Sequence, residues 1–506
     1  MLAATIIASS MVFIDGTLVN VALPALQREL LASLAAVQWV VEAYALLLAA
    51  LLLVGGAAGD RFGRRRVFSI GVAIFAVASI GCALAGNVAQ LIVARGAQGI
   101  GGALLVPGSL AIISASFDDN ARGKAIGTWS AATALTTALG PVIGGWLIDH
   151  GSWRAAFLLN VPLAIVVLVL ASRYVPESRN PDEAGPLDWA GALQVTAGLG
   201  AVVYALIEAP ARGFGASRVV VGLVAGAAAL IAFVFVERTA RRPMVPLQLF
   251  RSRAFTGANV LTLLLYAALG GGFFFVPLDL IQVQHYSATE AGAALLPLAL
   301  LLAALSRWSG GLVERHGARL PLVAGPIVAA CGFALFAVPG IGGSYWLTFF
   351  PAVVVLGLGL GVTVAPLTTT VMSAAPTDLV GAASGINNAV SRVAGLIAVA
   401  AFGVIIVPIF ERSLHENLDG AGIGPAVISV LESQRDRLGA IDVPSTLGAR
   451  DRTVAERAIA EAFVDGFRWV MLACAALSLA GAAGAWVTAK DVYPGARPPG
   501  EGGTAF

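Results

Sequence analysis

The chain is poor in charge, in lysine, in cysteine and in histidine. Only 12% of its 506 residues are charged, against 58% hydrophobic. A soluble domain carries about 25% charged and 45–50% apolar residues. So much apolar surface finds no room in cores of ordinary domain size, which excludes a water-soluble chain. Lysine is confined to Lys124 and Lys490, neither in a G-x-x-x-x-G-K-[ST] loop, so there is no Walker-type nucleotide site. Cys82, Cys331 and Cys474 lie inside apolar runs and give no disulfide framework. His150, His285, His316 and His415 fall in loops, solvated and without metal-ligand spacing, so neither a metal site nor a cofactor is expected. A net charge of +2 provides no basic face for nucleic acid. The motifs G-x-S-x-G and H-E-x-x-H and any paired Cys/His cluster are missing, so no catalytic residue is expected and a membrane enzyme is set aside.

Long apolar runs are what the chain has in abundance. A bilayer core of about 30 Å requires about 20 mostly apolar residues per helix. Fourteen runs qualify, within roughly 2–24, 35–58, 67–85, 89–113, 123–148, 155–175, 188–208, 217–236, 254–280, 289–310, 320–339, 345–372, 380–409 and 463–488. The first run contains Asp15 and reads as a retained span, not a cleaved signal. Orientation follows from the short loops. With the N-terminus in the cytoplasm, that side holds Arg61, Arg64, Arg65, Arg66, Arg122, Lys124, Arg173, Arg179, Arg238, Arg241, Arg242, Arg251, Arg253, Arg307, Arg315, Arg319, Lys490 and Arg497. The other side's short loops hold only Arg28, Arg154, Arg212 and Arg218. The expectation is a multi-pass protein of the plasma membrane, bacterial by composition, with both termini cytoplasmic and segment 410–462 outside.

A sequence pattern recurs. Gly56-x-x-x-Asp60-Arg61-x-Gly63-Arg64-Arg65-Arg66 follows the second span, and Gly310-x-x-x-Glu314-Arg315-x-Gly317-Ala318-Arg319 follows the tenth, 254 residues later (314 minus 60). Equivalent loops in two six-span sets point to duplication. The expected fold is all-α and integral to the membrane. A six-helix bundle fills 1–180, two inserted helices fill 181–245, and a second six-helix bundle fills 246–506. Parallel repeats of this kind are an architecture of secondary transporters, with the substrate cavity between the repeats.

The motifs carry a resemblance to a known family. Asp60-Arg61-x-Gly63-Arg64-Arg65 resembles the loop signature of the major facilitator superfamily, and Leu91-x-x-x-Arg95-x-x-Gln98-Gly99 its fourth-helix motif. Gly140-Pro141-x-x-Gly144-Gly145 resembles the fifth-helix motif associated with exporters. Phe13 to Pro24 is similar to the first-helix signature of the fourteen-helix drug:proton antiporters, and Ser152-Trp153-Arg154 with Asn160-Val161-Pro162 fits the same group. The resemblance covers essentially the whole chain. It implies proton-coupled efflux of small hydrophobic or cationic compounds, driven by the proton gradient. A dedicated metabolite exporter or a proton-driven importer of the same fold stays open.

Asp15, Glu42 and Arg95 stand at a common depth of roughly 9–14 Å, counting 1.5 Å per residue from the outer span ends. A charge at such depth is costly unless paired, hydrated or neutralised, so the three are expected to meet across a cavity and handle protons. A fixed Arg–acid pair is the structural alternative, and Glu42 could instead bind cationic cargo. Asp60, Arg61, Gly63, Arg64 and Arg65, with Glu314 and Arg315, are expected to gate the cytoplasmic side through pairs across the bundle interface. Gly140, Pro141, Gly144 and Gly145 permit close helix packing and a bend. Asn20, Tyr44, Gln98, Asn387, Asn388 and Arg392 put polar groups on apolar helices and are candidate substrate contacts. Phe273, Phe274 and Phe275 are expected to face lipid. Asp279, Asp465 and Glu208, near span ends, are expected to be solvated. Ala426 to Leu438 is either a short amphipathic helix over the exterior mouth or disordered. Each chain holds both bundles and is expected to work as a monomer, with small-molecule cargo, protons and the bilayer as its partners.

Overall fold

The computed structural model of the protein describes residues 1–117, 119–179, 188–239, 245–313, 317–376, 379–419, 424–444 and 447–488. Glu314, Arg315 and His316 lie outside the described residues, as do Arg241, Arg242, Lys490 and Arg497. The described chain is helical throughout, and 14 of its helices are long and apolar enough to cross a membrane. The chain opens with α1 (Leu2–Leu30), α2 (Leu34–Phe62), α3 (Arg64–Ala83) and α4 (Val88–Ser116). Then come α5 (Asp119–His150), α6 (Trp153–Leu158) and α7 (Asn160–Tyr174), followed by the pair α8 (Trp189–Arg212) and α9 (Ser217–Thr239). The second set is α10 (Arg253–Leu278), α11 (Ala288–Ala294), α12 (Leu296–Gly310), α13 (Arg319–Phe336), α14 (Tyr345–Ser373), α15 (Val380–Asp419), α16 (Pro425–Glu432) and α17 (Ala449–Thr488). Helices α6 and α7 together make one span, as do α11 and α12.

Local sequence sets the starts and turns. Ser33 accepts from the Ala36 amide at 3.2 Å, and Asn87 from Gln90 at 2.9 Å, each satisfying an amide that a helix N-terminus leaves free. Between α2 and α3 the chain turns at Gly63, where φ is 109°, a backbone region open to glycine and strained for other residues. Within the first set, α4 packs on α2 and α3, and α1 on α5 and α7; within the second, α13 packs on α14, and α10 on α15 and α17. The inserted helices α8 and α9 pack on each other, and α8 leans on both α2 and α15.

The two ends of the molecule differ. Helices α15 and α17 are 40 residues each, about 60 Å at 1.5 Å per residue and twice a bilayer core. Their excess length projects from the end opposite the Asp60–Arg66 turn. Pairs spaced i, i+4, Arg412–Glu416 at 2.8 Å and Arg457–Glu461 at 2.8 Å, carry the helices onward where apolar residues give way to charged ones. Together with α16 and a 3-10 turn at Arg435–Ala440 they build a cap whose Leu431, Leu438 and Val443 are buried. The stretch 425–438 is thus a helix and a turn with buried apolar faces, the first of the two expected forms. His415 is no loop residue: it sits on α15 beside Glu432 at 2.8 Å and Asp419 at 3.3 Å.

At this cap end the two sets lock together. Asp149 at the end of α5 accepts from the Ala288 amide at 3.0 Å, the Thr289 amide at 2.8 Å and the Thr289 hydroxyl at 2.5 Å. Gln282 donates to Gln27 at 2.8 Å, and Gln38 donates to the Val399 carbonyl at 2.6 Å. A Cβ on Gly145 would stand 2.3 Å from the Ala288 carbonyl oxygen, and one on Gly292 would stand 2.3 Å from that of Pro141. Toward the other end, Gly123 and Gly127 of α5 and Gly381 of α15 have nothing within 4 Å of such a Cβ.

Two expectations are corrected here. Phe274 and Phe275 are buried in the second set, not turned to lipid, because α10 is enclosed by α14, α15 and α17. Asp279 is 1% exposed, not solvated, because a π-helical turn at Asp279–Val283 folds it inward. Asp465 and Glu208 do stay near water, paired with Arg468 and Arg212.

Candidate functional site

Two of the three buried charges expected to meet, Asp15 and Arg95, come together between α1, α4 and α7. Asp15 is 2% exposed and Arg95 0%. The Arg95 Nη1 donates to the Asp15 Oδ2 in a buried ion pair. The other oxygen, Oδ1, accepts from Gln98 Nε2 at 3.2 Å and from Asn160 Nδ2 at 3.2 Å. Arg95 also donates through Nη1 to Gln98 Oε1 at 2.8 Å and through Nε to the Val40 carbonyl at 3.0 Å. Gln98 in turn donates to Ser79 Oγ at 2.7 Å. The Tyr44 ring covers the guanidinium, with its centroid 4.3 Å from Cζ, and the Tyr44 hydroxyl donates to the Val12 carbonyl at 3.1 Å. A charged pair taken out of water stabilises nothing unless its remaining lone pairs and protons are also satisfied, and here nearly all are. The exception is Arg95 Nη2, which is buried without a partner.

Small residues make the approach possible. A Cβ on Gly99 would lie 2.5 Å from the Tyr44 carbonyl oxygen, so α4 can press against α2 only with glycine there. That contact sets Arg95 beneath the Tyr44 ring. Gly140 and Gly144 do the same for α5 on α1, where a Cβ would meet Thr17 at 2.3 Å and Leu18 at 2.4 Å. Pro141 and Gly145, on the neighbouring face, meet α11 of the second set. The glycine–proline stretch is therefore a seam with two sides.

Glu42 does not join this group. It is 1% exposed, and neither carboxyl oxygen has a hydrogen-bond partner. Its neighbours one turn away explain why: Gln38 reaches Val399, and Leu46 packs with Leu396 and Ala400 of α15 and with Leu199 and Val203 of α8. Glu42 therefore faces the α8–α15 side of α2, while Tyr44 faces Arg95. Equal depth did not mean a shared face.

The other expected contacts divide in the same way. Asn387 belongs to the interior of the second set, donating to Asn259 at 3.2 Å and Thr262 at 2.7 Å. Asn388 is exposed and donates to the Ser384 carbonyl at 3.0 Å. Asn20 is half-buried with its Oδ1 unpartnered, and Arg392 is half-buried with no ion pair or hydrogen bond. In the turn after α2, Asp60 pairs with Arg64 at 2.7 Å, while the Arg65 amide and side chain meet Glu177 at 3.1 and 3.8 Å. Arg61 lies against Phe62, 5.8 Å from the ring centroid. Among the described residues these pairs stay inside the first set and do not cross to the second, because Glu177 follows directly on α7. Two participants were missed from sequence. Asn160 was visible only as part of a motif, and Asp149, beside a loop, gave no signal.

The Major Facilitator Superfamily sequence model matches residues 5–399. The chain belongs to this superfamily. It is accordingly a multi-pass membrane transporter and not an enzyme. The tetracenomycin C resistance and export protein of Streptomyces glaucescens is 34% identical over 99% of this chain and 93% of its own. The multidrug resistance protein Stp of Mycobacterium tuberculosis (strain ATCC 25618 / H37Rv) is 34% identical over 97% and 92%. Among solved structures, a bacterial homologue of the human lysosomal transporter Spinster has a TM-score of 0.66 at 18% identity, covering 96% of both chains. The xylose transporter XylE of E. coli has a TM-score of 0.58 at 13% identity, covering 97% and 96%. These structural likenesses concern the fold of the superfamily.

Proposed function

We propose that the protein exports small, largely apolar compounds in exchange for protons, by alternating access between bundles 1–180 and 246–506. Export is supported by relatives, similar over nearly their whole length, named for tetracenomycin C export and multidrug resistance. The coupling rests on one observation: Asp15, buried with Arg95, is held by three donors and has no other ion-pair partner among the described residues. A proton on Asp15 cancels the charge that Arg95 neutralises and frees a guanidinium that already has one unpartnered amine. A change of that size within the membrane biases two packed states against each other. With the arginine-rich loops in the cytoplasm, the locked cap end is the exterior gate, and Asp149 with Gly145 holds it. The loop from Asp60 to Arg65, together with Glu314 and Arg315, then serves the cytoplasmic gate when that side closes.

The test uses everted vesicles energised by a proton gradient and loaded with a fluorescent drug. Asp15→Asn should lose proton-driven accumulation, while Asp15→Glu keeps part of it. Undiminished accumulation with Asp15→Asn removes Asp15 from the coupling.

A further inference from the structure

Arg392 is a cation on α15 near the middle of its membrane segment, one turn from Leu396, which packs against Leu46 of α2. It is half-buried and has neither an ion pair nor a hydrogen bond. Its titratable neighbour within Coulombic reach is Tyr44, the same ring that covers Arg95. Arg392 therefore lies where the two bundles face each other, beside the buried network. The acids nearby are committed or turned away. Asp15 is taken by Arg95. Glu42 sits between Gln38 and Leu46 on the α8–α15 side of α2, and no cation reaches it. Asp279 is at the cap end. With Asp15 and Arg95 cancelling, Arg392 leaves this part of the cleft one positive charge in excess. Asn388, one turn away on α15 and on the same face, adds an exposed amide.

An unpaired guanidinium at membrane depth is costly until a counter-charge arrives. Among the described residues none supplies one, so cargo can. We propose that Arg392 makes the central cleft a site for organic anions, an apolar body carrying a carboxylate, phenolate or sulfonate that pairs with its guanidinium. This rests on the export reading and narrows it: hydrophobic cargo stays, while cationic cargo, expected from the resemblance, is disfavoured. Arginine suits the task because its fork can donate two parallel hydrogen bonds to a planar anion.

The test is equilibrium dialysis of the purified full-length protein in detergent against two aromatic probes, fluorescein as anion and ethidium as cation. Wild type should bind fluorescein at least about tenfold tighter than Arg392→Gln does, the factor expected when one charged pair worth roughly one decade is lost. Arg392→Lys should retain most of that preference, and Arg392→Gln should bind ethidium no worse than wild type. Fluorescein should raise the melting temperature of wild type and not of Arg392→Gln, and without probe Arg392→Gln should melt no lower than wild type. The proposal is overturned if Arg392→Gln binds fluorescein as wild type does, if wild type prefers ethidium, or if wild type binds neither probe. Binding here needs no gradient. Undiminished proton-driven accumulation in Asp15→Asn vesicles, with fluorescein binding to wild type intact, would thus count against the proton mechanism alone.

Discussion

Asp15 and Glu42 lie on adjacent helices at similar depth, and both are almost wholly buried. One has three hydrogen-bond donors around it; the other has none. The difference is a matter of helix face. Glu42 and Tyr44 are two residues apart, about 200° around a helix, so one looks toward α15 and α8 while the other looks toward Arg95. Two buried carboxyls therefore belong to two different environments, and of the two only the first has an ion-pair partner among the described residues. The cationic residues show the same contrast: Arg95 is almost fully satisfied, and Arg392 has neither an ion pair nor a hydrogen bond among the described residues.

The sharpest way to break this contrast is to exchange the two acids' roles. Asp15→Asn should abolish gradient-driven transport, a loss of at least about two decades if one buried ion pair worth 3–5 kcal/mol underlies the switch. Next in size is the exterior gate. Gly145→Ala places a methyl 2.3 Å from the Ala288 carbonyl oxygen, and overpacking of this kind costs about 1–3 kcal/mol, borne only by the state closed at the cap end. Spin labels at His150 and Ser344 should then report a longer distance in a larger share of molecules, and an unchanged distance distribution would show that the seam does not hold the gate. Glu42→Met should raise the melting temperature, because removing an unsatisfied buried polar group returns about 1–3 kcal/mol. Coupled transport should survive it; a variant that melts lower, or transports without coupling, would erase the distinction between the two acids. The smallest effect belongs to Arg65→Ala, whose partner Glu177 is 3.8 Å away on an exposed surface. It should change stability by no more than about 1 kcal/mol, measured by thermal unfolding.

Span number was legible in the sequence because it depends on composition along one dimension. The 14 spans and the motif set of the superfamily were readable for that reason. Azimuth was harder to read. Asp15 and Arg95 were grouped by depth and do meet, and Gln98, expected to contact substrate, bonds to both of them. Glu42 was grouped with them by depth alone, and Asn387 was assigned to the cleft although it bonds to Asn259 and Thr262 within its own bundle. Asp279 looked solvated because its place near a span end says nothing about a π-helical turn that folds it inward. Asp149 was invisible because its partners, the Ala288 and Thr289 amides, lie 139 and 140 residues away. The cap was half-legible: the i, i+4 charge pairs of α15 and α17 signal helices that continue into water, but what covers Leu438 does not follow from its neighbours in the chain.

Counting the protons exchanged as cargo binds bears most directly on the claim that Asp15 carries the coupling. Purified protein in weakly buffered detergent with a pH-indicator dye would be mixed with a transported drug. Wild type and Glu42→Met should release protons on binding, and Asp15→Asn should release none. Equal release from Asp15→Asn and wild type would contradict the account, whatever the fold.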